Sequence, residues 1–459
     1  MTFQSLEYAV LLSAVFVVYW FLSRRYQNAV LILASYVFYS YVDLRMALLI
    51  GGYTLVTYVA TNQIEKDTKN ARRYLAAALI ASLGTLTIFK YAGFFVTGVA
   101  GALDVVGLAS FDSTLKIILP VGISFYTFQS IGYLIDVYKQ RTHARTNLVD
   151  TALFISFFPQ LVAGPIERAS KLFPQFEQRR VFNPERISSG ISLLAWGLFK
   201  KLVIADNVGM LVDNIFAVNK TSGAMLWVGV FAFGIQILAD FSGYTDIARG
   251  SARILGIDLS VNFRHPWLAS SPIDFWRRWH ITLSEWLRDY VYIPLGGDRH
   301  GKRRTAVNVV VTFALGGLWH GAAWNFVLWG LLHAGLLLIW RGARSLKLGL
   351  PNPASAIITF IAIGASWLLF RESDLTYIGR NIFAGSTETK LALSLGVTAL
   401  LYSLPLWVHA LVDRPDITNL WTRNDVSRTA VYTVLTLTSF IAILALRADT
   451  SADFIYFRF

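Results

Sequence analysis

The sequence predicts an all-α, polytopic membrane protein, and three observations support that prediction. Of the 459 residues, 55% are hydrophobic and only 15% are charged, and the mean hydropathy is +0.51. Soluble domains have about 25% charged residues, so this composition favours a membrane protein. Apolar runs recur along the chain, separated by short basic segments. The 14 tryptophans suit helix ends at the lipid–water interface.

The apolar runs predict the helices. They fall at residues 7–22, 28–42, 46–61, 74–89, 91–109, 117–138, 148–163, 188–205, 224–240, 305–319, 323–340, 354–370, 391–412 and 429–446. Several are shorter than the roughly 20 residues needed to span the bilayer, so we expect about eleven crossings plus re-entrant or interfacial helices. The sequence has no internal repeat or low-complexity linker, and we therefore expect one membrane-embedded domain over residues 1–459.

The distribution of basic residues predicts the orientation, because positive charge collects in cytoplasmic loops. Arg24, Arg25 and the stretch 66–73 are expected in the cytoplasm, with the N-terminus outside. The loop 413–428 is also expected inside, which makes 447–459 an extracytoplasmic tail. The net charge of +13 is spread over such loops, and this argues against nucleic acid as a partner.

Residues 262–333 join a charged, aromatic segment to a nearly charge-free one. The charged segment contains Asp274, Arg277, Arg278, Glu285, Arg288 and Asp289. Six charges facing lipid would cost on the order of 15–20 kcal/mol. The segment is therefore expected at the membrane surface, in a funnel, or paired inside the protein.

Residues 305–340 predict a hairpin that enters the membrane and returns, because basic residues flank both ends. Each arm has about fifteen to eighteen residues, or about 22–27 Å of helix, which is short of the roughly 30 Å hydrocarbon core. Gly316, Gly317 and Gly321 bracket the expected apex. His320 should then lie at membrane depth and be reachable from the cytoplasm.

Two histidines are candidates for chemistry. His320, in LWHGAAWNF, is either a hydrogen-bonded core residue or a functional group, and an ionisable residue inside a span favours function. A neutral imidazole can act there as general base for a hydroxyl that attacks an activated carbonyl. His280, in FWRRWHITLSEW, is flanked by cations and is expected nearer the surface, either in an interfacial helix or in support of His320. His333 and His409 are predicted core residues.

A band of basic residues lies on the side assigned to the cytoplasm. It consists of Arg277, Arg278, Arg299, Lys302, Arg303 and Arg304. These residues determine topology, and they also attract an anionic donor such as a nucleotide thioester. The sequence has no cysteine, so an acyl intermediate on this chain must use oxygen or nitrogen. P-loop, Rossmann, zinc-ligand and Ser-His-Asp patterns are absent.

Two irregular stretches and the tail complete the candidate site. Residues 157–176 contain three prolines that break any long helix, and DFSGYTD at 240–246 places acids directly after an apolar run. Broken backbone at membrane depth lines cavities, so both stretches are candidate walls of an aqueous funnel. The ending DFIYFRF is either an interface anchor or, through the phenol of Tyr456, an acyl acceptor.

Together these motifs resemble the bacterial membrane-bound O-acyltransferase (MBOAT) family, of the alginate O-acetyltransferase type and more distantly DltB. The matching stretches are FFPQLVAGPIER, DFSGYTDIARGSARILGI, NFRHPW, DFWRRWHITLSEWLRDYVYIPLGG, LWHGAAWNFVLWG and FIYFRF. They span residues 157–459, and the N-terminal third matches mainly in its helix pattern. The resemblance implies a ring of about eleven transmembrane helices around a central funnel, with 157–340 as catalytic core.

The resemblance also implies roles for individual residues. His320 matches the family's catalytic histidine and His280 its supporting histidine, while Tyr456 would relay the acyl group. The expected substrate contacts are Trp319, Asn325, Asp240, Tyr244, Arg277, Arg278 and Trp279. No bound cofactor or metal is expected. The implied donor is acetyl-CoA, and the implied location is the bacterial inner membrane. There a periplasmic partner of the SGNH-hydrolase or a related class would pass acetyl groups to alginate, cellulose or peptidoglycan.

Two other classes of function stay open at this point. A transporter would use His320 to line a polar path for a polysaccharide or lipid-linked substrate. A membrane scaffold would hold an extracytoplasmic acetyltransferase and have no activity of its own. A hairpin with a single apical histidine favours chemistry, because a sugar conduit should have more acids, amides and aromatics along its spans.

Overall fold

The computed structural model describes residues 1–41, 43–96, 98, 120–346, 351–385, 388–413, 425–448 and 454–455. Every regular element in this part of the chain is helical, which confirms the all-α prediction. The chain divides into two compact units, Met1–Ile187 with Ser251–Ser260 and Ser188–Gly250 with Val261–Phe459. The expectation of a single domain, with a catalytic core at 157–340, stays a prediction.

The first unit begins with eight helices. These are α1 (Leu6–Tyr19), α2 (Arg24–Ser40), α3 (Leu44–Lys66), α4 (Ala71–Leu86), α5 (Ile123–Tyr138), α6 (Leu148–Ser156), α7 (Phe158–Leu161) and α8 (Ala169–Glu177). The side-chain oxygens of Ser5 and Asn147 cap α1 and α6 by accepting backbone N–H groups. The prolines of 157–176 leave only short helices there, as predicted, and Pro159 lies in the first turn of α7.

A buried carboxylate ties two distant parts of the first unit together. Glu167 is 3% exposed and accepts hydrogen bonds from the backbone N–H and the hydroxyl of Ser260. The two residues are 93 positions apart in the sequence. The acidic residue near the end of FFPQLVAGPIER therefore has a hydrogen-bond partner inside its own unit.

The remaining helices belong wholly or mainly to the second unit. They are α9 (Pro184–Phe199), α10 (Asp206–Phe216), α11 (Gly223–Ile254), α12 (Pro272–Trp276), α13 (Ile281–Leu287), α14 (Gly301–His320), α15 (Trp324–Ser345), α16 (Asn352–Arg371), α17 (Leu375–Asn381), α18 (Thr389–Val412) and α19 (Asp425–Leu446). A π-helical turn, Lys200–Ala205, joins α9 to α10. A second π-helical turn, Arg288–Tyr292, follows α13.

The predicted hairpin is present as α14 and α15. Its turn is residues 321–323, so Gly316 and Gly317 are inside α14 and not at the apex. The helices have 20 and 22 residues, longer than the predicted arms, because each continues into its basic flank. Gly317 and Gly330 face each other between the helices, where small residues allow close approach.

One expectation about the funnel walls was wrong. DFSGYTD does not break the backbone, since residues 240–246 lie within the continuous 32-residue helix α11. The helix accommodates Asp240 because that carboxylate is paired with Lys201, 2.9 Å away. A salt-bridged acid inside a helix needs no interruption of the backbone to satisfy it.

Seven helices within the described ranges are long and apolar enough to cross a membrane. They are Leu44–Lys66, Ala71–Val96, Pro184–Phe216, Gly223–Ile254, Trp324–Ser345, Asn352–Arg371 and Thr389–Val412. Leu6–Tyr19 and Thr433–Leu446 are shorter apolar helices. The protein is thus a multi-pass membrane protein, while the expected number of about eleven crossings and their orientation stay predictions.

Candidate active site

His320 ends α14 and is enclosed by aromatic rings. It is 2% exposed, and the next residue, Gly321, leaves the helix in an extended conformation. The centroid of its imidazole lies 5.1 Å from that of Trp319, 5.2 Å from that of Trp329 and 5.3 Å from that of Phe370. All three rings meet it edge to face. His320 is thus a buried residue of the hairpin, while its depth in the membrane and its access from the cytoplasm stay predictions.

A cavity of about 370 Å³ connects this histidine to a basic surface; we call it the basic cavity. Its charged and ring-bearing lining consists of Arg277, Arg288, Arg341, Glu285, Trp276, Tyr292, Trp329 and His320. The three arginines are exposed and His320 is buried, so the cavity runs from solvent-facing cations to a shielded imidazole. Arginine side chains that line such a cavity can bind phosphate groups with two hydrogen bonds each.

The charged segment around α12 and α13 is partly paired and partly lines the basic cavity. Arg278 pairs with Asp274 at 2.9 Å and Arg288 with Asp289 at 2.7 Å, while Arg277 and Arg288 line the basic cavity. The neighbours Arg277 and Arg278 therefore differ in setting. The substrate contacts expected of both arginines stay predictions.

His280 is not near the surface, and that expectation was wrong. It is 0% exposed and stands at the start of α13 with φ 42°, in the left-handed region that non-glycine residues rarely adopt. The backbone reversal between α12 and α13 buries the imidazole although its sequence neighbours are arginines. Strained backbone of this kind is concentrated at functional sites.

A buried amide fixes the orientation of the His280 ring. Its Nδ1 lies 3.2 Å from Asn262 Oδ1, which also accepts from the backbone N–H and the hydroxyl of Thr282. His280 lies outside the candidate membrane-spanning helices, and burial lowers its pKa to about 3. The ring is therefore neutral at physiological pH and can donate from Nδ1 to the amide oxygen.

Trp319 joins the two histidines. Its ring centroid is 5.5 Å from that of His280 and 5.1 Å from that of His320. Trp279 has a different setting: it is 0% exposed and packs against Phe263 and Trp367, each at 5.0 Å. The structure thus brings His320, His280 and Trp319 together and places Trp279 in the aromatic core beside them.

A second cavity, of about 420 Å³, lies at the hairpin turn; we call it the turn cavity. Its lining includes Ala322, Ala323, Asn325, Gln236, Asp213, Arg371, Phe370 and Ile455. The ring of Phe370 packs against His320 and also lines this cavity. His320 is therefore approached by the basic cavity and is separated from the turn cavity by one aromatic ring.

The predicted contacts Asp240 and Tyr244 meet the end of the chain. Asp240 Oδ2 accepts a 2.7 Å hydrogen bond from the backbone N–H of Ile455, and the Tyr244 ring lies 4.3 Å from that of Phe454. Tyr456 lies outside the described residues. The preceding residue, Ile455, lines the turn cavity.

Sequence reasoning missed Trp329, a residue of α15 that packs on His320. Trp329 touches the His320 ring, and His333, one turn further, packs on Trp329 at 4.5 Å and lies 3.1 Å from Ser366 Oγ. Asn325, Trp329 and His333 recur every four residues, and this spacing places them on one helix face. The core position predicted for His333 is confirmed, but His409 is exposed, so the same prediction for it was wrong.

Comparison with known proteins gives the family. Residues 140–346 match the model of MBOAT, the membrane-bound O-acyltransferase family. This match contains both histidines and the basic cavity. The chain is 39% identical over 381 residues to the probable alginate O-acetylase AlgI of Pseudomonas aeruginosa, covering 82% of this chain and 73% of the relative.

Two further relatives have different named activities. The peptidoglycan O-acetyltransferase of Helicobacter pylori is 37% identical over 378 residues, which cover 75% of this chain and 71% of the relative. The teichoic acid D-alanyltransferase of Bacillus subtilis is 31% identical over 234 residues, which cover 48% and 58%. These similarities favour an enzyme over a transporter or a scaffold. The chain belongs to the membrane-bound O-acyltransferase family and is a multi-pass O-acyltransferase.

Proposed function

We propose that this protein is an O-acetyltransferase of the bacterial inner membrane that moves acetyl groups from cytoplasmic acetyl-CoA to an extracytoplasmic polysaccharide of the alginate or peptidoglycan type. The names of its relatives support the acceptor class, since they are an alginate O-acetylase and a peptidoglycan O-acetyltransferase. The choice between these acceptors belongs to the partner that completes the transfer. We infer that this partner is a periplasmic protein of the SGNH-hydrolase or a related class.

The observation that supports this proposal best is the basic cavity. Three exposed arginines and a buried histidine line one space of about 370 Å³. Arg277, Arg288 and Arg341 suit the phosphates of a nucleotide thioester, because guanidinium groups bind phosphate oxygens bidentately. The pantetheine arm would extend inward and bring the thioester carbonyl to His320.

His320 acts as general base in the proposed step. The imidazole removes the proton from an acceptor hydroxyl, and the oxygen attacks the thioester carbonyl. The carbon–sulfur bond then breaks, an ester forms, and the CoA thiolate takes the proton from the imidazolium. The aromatic rings around His320 exclude water, which protects the thioester from hydrolysis. His280 supports this arrangement through Trp319.

Tyr456 is the proposed acceptor on this chain. It directly follows Ile455, which lines the turn cavity beside the Phe370 ring that touches His320. Acetylation of the phenol makes an aryl ester that a polysaccharide hydroxyl attacks in the second transfer, which regenerates the phenol. The chain has no cysteine, and this scheme needs only oxygen nucleophiles.

The test is acetyl transfer by purified protein in nanodiscs with radiolabelled acetyl-CoA. Wild type is compared with His320→Gln, Tyr456→Phe and His333→Gln. His333 is the matched control, because it is also a buried histidine of the same aromatic cluster but does not line the basic cavity. We expect label on wild type, with His320→Gln reduced by about 10²–10⁴-fold and His333→Gln by much less.

The results distinguish whether the reaction requires the Tyr456 relay, a base at His320 or only an intact aromatic cluster. Label that disappears in Tyr456→Phe, with folding unchanged, supports the relay. CoA release that requires His320 while Tyr456→Phe still acetylates a polysaccharide through the partner keeps the enzyme and refutes the relay. Equal losses in His320→Gln and His333→Gln would show that the aromatic cluster, and not a base at His320, is what the reaction requires.

A further inference from the structure

The short segment Phe454–Ile455 is docked by tertiary contacts. Phe454 is 0% exposed and Ile455 is 3% exposed. The Phe454 ring lies 4.3 Å from that of Tyr244 and 5.6 Å from that of Phe241, both on α11. Ile455 lines the turn cavity. The segment is therefore held against the middle of α11, 215 positions earlier in the sequence.

A backbone hydrogen bond ties this segment to α11, and the acceptor belongs to a cluster of buried charges. Ile455 N–H donates to Asp240 Oδ2 at 2.7 Å. The other oxygen of that carboxylate lies 2.9 Å from Lys201 Nζ, and the same ammonium lies 2.7 Å from Asp206 Oδ1. All three side chains are 1–3% exposed. One oxygen of Asp240 thus contacts the buried ammonium group of Lys201, and the other accepts from the backbone of Ile455.

The ion pair with Lys201 restricts the position of the Asp240 carboxylate. A buried carboxylate paired with a buried ammonium has few alternative positions, because leaving either charge unpaired in a low-dielectric interior is costly. A backbone N–H that binds such a carboxylate makes a charge-assisted hydrogen bond, which is stronger and shorter than a neutral one. The segment is therefore tied to a rigid point through its backbone, independently of the side chain at position 455.

The same segment rests on the ring system of the active site. Phe241, which contacts Phe454, lies 4.8 Å from His280 in an edge-to-face arrangement. His280 in turn contacts Trp319, and Trp319 contacts His320. A shift of Phe454 would therefore loosen the rings that enclose the candidate base.

We propose that Asp240, braced by Lys201 and Asp206, is a positioning residue that latches the backbone of Phe454–Ile455 at the turn cavity. Tyr244 completes the latch by packing on Phe454. This role differs from the substrate contacts expected for Asp240 and Tyr244. Its use in catalysis rests on the proposed function, because the latched residues immediately precede the proposed acceptor Tyr456.

The first test measures the latch without reference to activity. The chain has no cysteine, so Ile455→Cys introduces a unique thiol and keeps the backbone N–H. In nanodiscs that thiol should react slowly with a maleimide, and adding Asp240→Ala should raise its rate by about tenfold or more, because the protected state opens. The matched control is Asp213→Ala, which removes another carboxylate of the turn cavity, paired with Arg371 at 3.1 Å.

The second test removes the backbone N–H of Ile455, which donates the hydrogen bond, and leaves its acceptor Asp240 in place. Ile455→Pro has no backbone N–H, while Ile455→Ala keeps it. Acetyl transfer should fall by about 10–100-fold in Ile455→Pro and in Asp240→Ala, since misplacement of a reacting group by about 1 Å has effects of that size. The double variant should lose less than the sum of the two single losses in free energy, because both changes delete the hydrogen bond between Ile455 and Asp240, while Asp240→Ala also deletes the ion pair with Lys201. Ile455→Ala and Asp240→Asn, which retain donor and acceptor oxygen respectively, should lose much less.

The outcomes separate the latch from the proposed function. Equal maleimide rates with Asp240→Ala and Asp213→Ala would overturn the latch, whatever the activity. A faster rate with Asp240→Ala and wild-type acetyl transfer would support the latch and refute its use in catalysis. Additive losses from Ile455→Pro and Asp240→Ala would also overturn the latch, because they would show that the two changes act on different interactions.

Discussion

Gly317 lies where the backbones of α14 and α15 approach closely, and we predict that Gly317→Ala disrupts this contact. A Cβ added at Gly317 would lie less than 3.0 Å from the carbonyl oxygen of Phe326, 2.9 Å from its carbonyl carbon and 3.4 Å from Gly330 Cα. These are backbone atoms of α15, which cannot rotate away. In Gly317→Ala the two helices must therefore separate, by a distance on the order of 1 Å for an overlap of this kind.

The matched control lies on the same hairpin. At Gly335 an added Cβ meets nothing within 4 Å. Both substitutions gain up to about 1 kcal/mol of helix propensity, so comparing them cancels that contribution. The difference that remains is the overpacking cost, which we expect at about 1–3 kcal/mol in the free energy of unfolding.

The separation should also reach the candidate base. His320 is three residues after Gly317, so it moves with the last turn of α14. A displacement of about 1 Å can lower catalysis by about 10²-fold. The assays are the thermal midpoint in detergent and acetyl-CoA turnover per folded molecule. Equal midpoints and equal turnover in Gly317→Ala and Gly335→Ala would refute the reasoning.

Three further predictions concern other buried groups. The pKa of His280 is lowered by burial, so the folded protein binds fewer protons there than the unfolded chain, and stability should fall by about 1.4 kcal/mol per pH unit below about pH 6.5. His280→Gln should remove that slope from thermal midpoints measured between pH 7.5 and 5. Trp329→Ala opens the basic cavity beside His320 and should raise kcat/KM for butyryl-CoA relative to acetyl-CoA by about tenfold or more. Glu167→Ala leaves the N–H and hydroxyl of Ser260 without their acceptor and should cost about 1–3 kcal/mol in unfolding free energy for each group.

These three predictions have distinct controls. A wild-type acid slope in His280→Gln would contradict the neutral buried ring. Trp227→Ala, in a separate apolar cavity, should leave the acyl-length ratio unchanged, and the Trp329 reasoning fails if both variants behave alike. Glu167→Gln keeps an acceptor oxygen and should be less destabilising than Glu167→Ala in the same melting experiment.

The hairpin shows what local sequence can predict. The apolar run, its basic flanks and the histidine within it are properties of adjacent residues and of their transfer between water and lipid, so the sequence alone indicates a shielded His320. The position of the turn was less predictable. Gly317 resembles a helix terminator in the sequence, but the structure uses it for contact with Gly330 on the facing helix.

His280 shows where local reasoning fails. Its neighbours are arginines, which predicts a surface position, yet the imidazole is fully buried and bonded to Asn262. The direction of a side chain depends on backbone geometry, and a left-handed residue between two short helices turns it away from its charged neighbours. The composition of the segment does not specify whether the His280 side chain points to the surface or to the interior.

By itself the sequence determined the helical membrane class, the hairpin, the basic band and the candidate histidine, because hydropathy, charge and helical spacing act over a few residues. Only the tertiary structure decided which groups surround that histidine and what Asp240 binds. Phe370 and Ile455 reach the site from 50 and 135 positions after His320, and Asp240 joins Ile455 across 215 positions. Such contacts depend on how distant helices pack, and no local pattern of residue types specifies them.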